Sequence, residues 1–364
     1  MGDKKTADNG GVYKSEIHPI QAWHERSHQS DKDFDQFFND MGFVIRGRTE
    51  DGHDIHLWTF HYQQRGAEVV LDGDITQSLF MAAKFSDEEK KTMHDIPYVN
   101  KGQNIEDYQK PGTIVIKEDG DKTEWGTPER GFECHPPNWR VTGDHAGVKV
   151  DIKYTSNEPG FFHLGSFEDL PAKGGLAGYV MHGKTEGTME VAGKVHKFKG
   201  YGVHERIIQS GIVPDRTHYM GGRGLNWMHS WSEDFSWYGF QGDVGSGAFT
   251  GILYHGGKSY AVSGDQGGIE ETLYWLDPKS KIQIPYRWKV WFNTPVGRME
   301  SEVYGYGRGY YTWIRRHGTM VVNQYLADAS SKLTLNDGSV VESKQQSMIE
   351  HMRTMYRQPE PEGK

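Results

Sequence analysis

Strict alternation of apolar and polar side chains is what most limits the folds open to this chain. In GVKVDIKYTS, Val148, Val150, Ile152 and Tyr154 fall on one face and Lys149, Asp151 and Lys153 on the other. In IPYRWKVWFN, Tyr286, Trp288, Val290 and Phe292 oppose Arg287, Lys289 and Trp291. A period of two marks a half-buried strand, because successive Cβ atoms leave a pleated backbone on opposite sides. Between such runs stand the turn pairs Asp51-Gly52, Asp119-Gly120, Gly256-Gly257 and Asp337-Gly338, which are of the kind that closes hairpins. The pattern is plainest in FVIRGRT-EDG-HDIHLWTFHY, residues 43–62.

Only 35% of the 364 residues are hydrophobic, yet 11 Trp, 19 Tyr and 16 Phe are present, with 46 Gly as punctuation. Short aromatic runs separated by glycine favour sheets over helix bundles, and this length suits two domains. Helical patterns are few. SDEEKKTMHD (86–95) predicts a short helix behind a Ser cap. SKQQSMIEHMRTMYRQ (343–358) sets Met348, Ile349, Met352, Met355 and Tyr356 on one stripe and predicts a C-terminal amphipathic helix. Residues 1–20 are read as a mobile segment. The Gly-rich FEDLPAKGGLAG (167–178) is read as a junction between β domains at 21–180 and 181–358.

A net charge of −9 argues against nucleic acid, which needs a basic face. No apolar run approaches the roughly 20 residues of a membrane span, and the N-terminus lacks a secretory apolar core. The single Cys134 forms no internal disulfide and reads as a buried, inert thiol. A cytoplasmic protein is expected, and a homo-oligomer is compatible with all of this. GILYHGGKS misses the phosphate-loop spacing, GGRGLN and GYGRG lack a dinucleotide context, and no Gly-x-Ser-x-Gly elbow occurs. His53, His56 and His61 stand close together but alternate in face, without a Cys or HExxH framework. No metal and no cofactor are therefore expected. His-Glu-Arg occurs at 24–26 and again at 204–206, a weak hint of duplication.

Chemistry concentrates between Lys194 and Gly242. There KVHKFKGYGVHERI and NWMHSWSEDFSWYGFQGD bring His204, Glu205, Arg206, His229, Glu233 and Asp234 close to Trp227, Trp231, Trp237 and Tyr238. Ionisable groups sheltered by rings have shifted pKa values, as a working acid or base requires. His204, Glu205 and Asp234 are the candidate catalytic residues. Tyr201, Arg206, Trp227, His229, Trp237, Tyr238, Tyr254 and Trp288 are candidates for holding substrate. His204 and Glu205 are adjacent on a strand, so only one can face a given cavity.

GTMEVAGKVHKFKGYGVHERI followed by NWMHSWSEDFSWYGFQGDVGSGAFTGILY resembles the lipocalin-like carotenoid hydratase and AttH-like family. The matching residues are Gly193-Lys194, Gly200-Tyr201-Gly202, His204-Glu205 and the run from Trp227 to Tyr238. Arg206 and Ile207 depart from the family's Trp-Gly. The resemblance implies two lipocalin-like antiparallel β-barrels packed together, with an apolar ligand at or between them. It also implies chemistry of the type seen in hydratases of isoprenoid and isoflavonoid double bonds and in polyketide cyclases, with His204 and Glu205 in the polar site. The expected function is a cofactor-independent lyase or isomerase using acid–base catalysis on a terpenoid, polyketide or phenolic. Two other readings stand beside it: a non-catalytic carrier of a hydrophobic ligand, and a carbohydrate-active protein with facing carboxylates.

Overall fold

The alternating runs do form strands. The computed structural model describes residues 15–28, 37–65, 73–96, 104–110, 112–145, 147–169, 175–191, 193–210, 224–242, 249–279, 281–315 and 318–357. In Val148–Thr155 the side chains of Ile152 and Tyr154 are buried, while Lys149, Asp151, Lys153 and Thr155 are exposed. In Gln283–Thr294, Trp288, Val290 and Phe292 are buried and Lys289 is exposed. The turn pairs close hairpins as expected: Gly52, Gly120, Gly256, Gly257 and Gly338 all take positive φ. No helix among the described residues is long and apolar enough to cross a membrane.

Two antiparallel sheets result. The larger runs Asn104–Gln109, Gly73–Ala83, Asp54–Arg65, Phe37–Thr49, Lys194–Ser210, Gly175–Val191, Val148–Thr155, Asn138–His145, Arg130–His135, Lys122–Gly126, Val115–Asp119. It is curled, since Phe43 and Phe132 lie five strands apart in this order and yet stack edge-on at 5.3 Å. The smaller runs Lys258–Ser263, Phe249–His255, Phe235–Gly242, Gly224–Trp231, Val340–Arg357, Gly318–Leu335, Gly297–Arg315, Gln283–Thr294, Gly267–Leu276. It too is curled, because Asn226 reaches Glu271 of the far edge strand. These are lipocalin-like half-barrels, each with its own core. Met41, Trp125, Tyr154 and Tyr179 belong to the first core, and Met228, Trp237, Phe292 and Ile349 to the second.

Several expectations are corrected. The chain divides into one compact unit of Met1–Ala82, Tyr98–Asp215 and Ile314–His317 and another of Ala83–Pro97, Arg216–Trp313 and Gly318–Lys364. The junction expected at 180 falls within the strand Gly175–Val191, whose ladder to Lys194–Ser210 is continuous. Residues 170–174 and 1–14 lie outside the described residues. Glu16–His18 of the supposedly mobile segment is a strand paired with Gly160–Gly165. The 86–95 helix is reduced to one 3₁₀ turn, Glu89–Lys91, although Ser86 does accept from the Glu89 N–H as a cap would.

The C-terminal helix is a strand, Val340–Arg357, and residue 358 lies outside the described residues. Its backbone pairs on both sides, with Gly224–Trp231 and Gly318–Leu335. Both of its faces are buried: Met348 and Ile349, on opposite faces, are each 0% exposed. A strand buried on both sides has apolar residues at adjacent positions, and those imitate a helical stripe when read alone.

Glycine at 200 has a steric cause. A Cβ there would sit 2.0 Å from the Arg46 carbonyl oxygen and 2.6 Å from the Gly47 Cα. Both are backbone atoms of the neighbouring strand, so relief requires parting the ladder. Gly200→Ala is expected to cost about 1–3 kcal/mol, the usual range for overpacking, read as a lowered urea midpoint at unchanged m-value.

Candidate active site

His204 sits opposite Phe43 in the first sheet and stacks on it at 4.4 Å. With Arg206 it faces the interior, while Tyr201 and Glu205 take the other face, as the pleat demands. His204 and Glu205 therefore do not share a site, and Glu205 is half-buried on its own side. The partner of His204 is instead Glu25, at the end of the 3₁₀ turn Ala22–Glu25. The Glu25 oxygens lie 3.2 and 3.1 Å from Nε2, and Nδ1 lies 2.9 Å from the Gly42 carbonyl. Tyr179 O–H donates to Glu25 Oε1 at 2.8 Å and lies 3.0 Å from His204 Nε2. The Trp139 indole N–H donates to the same carboxylate at 3.2 Å.

Glu25, Tyr179 and His204 are each 0% exposed. Burial pushes the Glu25 carboxyl up, but His204, Arg206 and Tyr179 together outweigh it and hold Glu25 below the usual carboxylate range. Burial and the same carboxylate push the Tyr179 phenol well up. Cys134, also buried, is pushed well up in the same way, in keeping with an inert thiol.

The two His-Glu-Arg triplets meet here. Glu25 of one pairs with His204 of the other, and Arg206 Nη2 donates to the Arg26 carbonyl at 2.7 Å. Both triplets belong to the same unit, so they are two halves of one contact and not duplicated positions. Arg206 is consumed internally. It also donates to Asn39 Oδ1 at 2.8 Å and to the Asp40 carbonyl, and it lies 4.7 Å over the Trp125 ring.

The second unit holds a trio of the same residue types. Glu271 Oε1 accepts from Asn226 Nδ2 at 2.9 Å, and Oε2 accepts from Tyr274 O–H at 3.0 Å. His351 Nε2 stands 3.5 Å from Oε1, and Trp288 Nε1 donates to Asn226 Oδ1 at 3.1 Å. Burial raises the Glu271 carboxyl, but His351, Asn226 and Tyr274 prevail and bring it to about 2. Burial lowers the His351 imidazole despite Glu271. Burial and Glu271 raise the Tyr274 phenol. Register breaks flank Leu273; such irregularities re-aim side chains. Tyr274 is 46% exposed, beside Leu273 at 51% and Leu276 at 57%.

The remaining sequence candidates fall in three places. Trp237 lies in the second core with Trp288 and donates to Gln345 Oε1 at 2.9 Å. Trp227, His229, Tyr238 and Tyr254 lie on the opposite face of that sheet, where the His229 ring stands 4.1 Å from Trp227 and 4.5 Å from Tyr238. Asp234 is exposed in a turn, accepting from Ser343 Oγ at 2.8 Å. It holds the turn and stands with neither trio. Tyr201 is buried 6.4 Å from His182. His56 and His61 occupy opposite faces of Asp54–Arg65 and do not converge. An open groove of about 750 Å³ lies along Gly126, Gly131, Thr142 and Asp151, lined by both charged and apolar side chains, and none of the sequence candidates lines it.

No protein-family model and no curated protein matches the chain. Several solved structures are similar, three of them as follows. A candidate AttH from Nitrosomonas europaea is 11% identical, with a TM-score of 0.56 over 88% of this chain and 93% of that one. CghA with Sch210972 is 10% identical, with a TM-score of 0.56 over 97% of each chain. Kievitone hydratase from Nectria haematococca is 9% identical, with a TM-score of 0.47 over 97% of each chain. The chain has the AttH-like lipocalin fold. Within that fold, His204 is buried on Glu25, and Arg206 anchors the segment that delivers Glu25. Glu25, Tyr179, Glu271, Tyr274 and His351 were not selected from the sequence. The repeated triplet was the one signal that touched any of them.

Proposed function

We propose that the chain is a cofactor-independent lyase or isomerase that hydrates, dehydrates or rearranges a hydrophobic or aromatic small molecule by acid–base catalysis. One observation carries this reading. Of the two Glu–His–Tyr trios, the second presents its phenol to solvent among exposed apolar side chains, while its carboxylate and imidazole stay inside. The first trio has no exposed member and serves the fold.

At the second trio the parts divide the work. The raised Tyr274 phenol keeps its proton, and on substrate binding its single O–H leaves Glu271 Oε2 to donate to a carbonyl or hydroxyl oxygen of a substrate lying across Leu273 and Leu276. Glu271, ionised, aims that phenol and stabilises positive charge developing on carbon. Such a charge gains about 0.5–2 kcal/mol more from each dry aromatic face it meets. A positioned acid of this kind contributes about 10²–10⁴-fold in rate. The occurrence of the same fold in CghA with Sch210972 supports a small-molecule substrate.

Native mass spectrometry of the purified protein should show a retained apolar molecule, and its relatives then serve as test alkenes and alcohols. Turnover is read as gain or loss of water by mass, or as deuterium uptake from D₂O. Tyr274→Phe is expected to lower turnover at least tenfold with ligand affinity changed less than twofold. Wild-type turnover in both Tyr274→Phe and Glu271→Gln would remove this site from the mechanism. Binding without turnover in the wild type would leave the carrier reading.

A further inference from the structure

We propose that Asp51, His53 and His196 form a site for one divalent transition-metal ion, of the borderline class that takes imidazole and carboxylate ligands. One ligand atom from each of the three residues lies within 4.8 Å of the other two. Ligands sharing a tetrahedral ion at about 2 Å stand about 3–4 Å apart, so small side-chain rotations close the set. His53 Nδ1 and Asp51 Oδ1 are already 3.0 Å apart, and the His53 and His196 rings are 5.7 Å apart between centroids.

The site is built by the pairing of two hairpins. Phe37–Thr49 and Lys194–Ser210 are neighbours, with Thr49 opposite Phe198. Asp51, two residues beyond Thr49, therefore comes alongside His196, two residues before Phe198. The first turn is rigid. Thr49 N–H donates to the His53 carbonyl at 3.0 Å, His53 N–H donates to Thr49 Oγ1 at 2.9 Å, and Gly52 supplies the positive φ of 85°. Thr49 O–H also donates to Asp51 Oδ1 at 2.5 Å, which fixes the carboxylate. His196 is buried, and Asp51 is half exposed, so a fourth position is open to solvent. Preorganised ligands on fixed backbone are what a metal site requires.

One cation already competes. Lys194 Nζ lies 3.1 Å from Asp51 Oδ2. The ion would take Oδ1, displacing the proton that His53 and Asp51 share, with the ammonium left on Oδ2. Two cations on one carboxylate weaken each other, and that gives the test its direction.

The test is titration of the purified full chain with Zn²⁺ by calorimetry and with Co²⁺ by visible absorption. One equivalent is expected to bind, with a Co²⁺ d–d band of low coordination number and a raised Tm. His53→Ala and His196→Ala should each weaken binding at least tenfold and remove the Tm rise. Lys194→Gln should tighten binding severalfold, an outcome that a merely structural hairpin contact would not produce. Circular dichroism confirms that each variant is folded. Absence of a stoichiometric ion in the wild type, or its retention by the His53→Ala/His196→Ala double variant, overturns the proposal. Neither readout depends on the reaction proposed above, so the two can fail separately.

Discussion

Glu25→Ala is expected to destabilise the protein by about 3–5 kcal/mol, the range for breaking a buried ion pair by removing one partner. The carboxylate is 0% exposed and accepts from His204, Tyr179 and Trp139. Its loss removes the acceptor of two buried donors, Tyr179 and Trp139, and the carboxylate facing His204. Glu25→Gln keeps the volume and one acceptor oxygen for Tyr179 and Trp139, and should cost less than half as much. Equilibrium unfolding in urea gives both values, and a Glu25→Ala loss under about 1 kcal/mol would show the pair to be incidental. The pH dependence has a definite sign. Because the folded Glu25 lies below its ordinary carboxylate value, its contribution is present above that value and disappears as pH falls through the folded one. The penalty of Glu25→Gln should accordingly shrink in strong acid.

The second large effect is acid unfolding led by histidines. Burial lowers His61 and His182 to about 3 and His163 to about 4, against 6.5 in the unfolded chain; Arg130 adds to the effect at His61. His24 and His28 are brought to about 4 chiefly by burial. For a base with its folded pKa below the unfolded one, the unfolded state binds more protons on acidification. Stability is thus complete above about pH 6.5 and is lost as pH falls from there toward 4 and 3. Each fully buried ring contributes at most about 1.4 kcal/mol per pH unit within its window, so three act on the scale of total stability. Unfolding followed by circular dichroism should have its midpoint between about pH 4 and 6, while most carboxylates are still ionised. Replacing His61, His163 and His182 together by Gln should move that midpoint down by at least half a pH unit. An unmoved midpoint would assign acid sensitivity to the carboxylates instead.

Legibility in the sequence followed distance along the chain. Strand faces such as Ile152 and Tyr154, and turns such as Gly256-Gly257, depend on neighbours two to four residues away, and these were read correctly. The Met348–Met352 segment was misread because its character depends on which strands flank it. Burial on both sides put Met348 and Ile349 at adjacent buried positions, and an isolated stretch cannot distinguish that from one face of a helix. His204 stood out by its aromatic setting, and the pleat already excluded Glu205 from its side of the sheet. No nearby residue pointed to its partner, Glu25, which lies 179 residues away.

Taken by itself, the amino-acid order determined an all-β chain of short hairpins, rich in rings, with a lipocalin-like cast and a reactive-looking histidine at 204. Alternation and turn chemistry are local properties, and they survive any choice of long-range pairing. Only the tertiary structure decided which carboxylate meets which imidazole. It sealed the first trio and left Tyr274 at a surface, and it drew His53 away from His56 and His61 toward Asp51 and His196. Those outcomes depend on the register between strands far apart in the chain and on how each sheet curls, and no short window of residues encodes either.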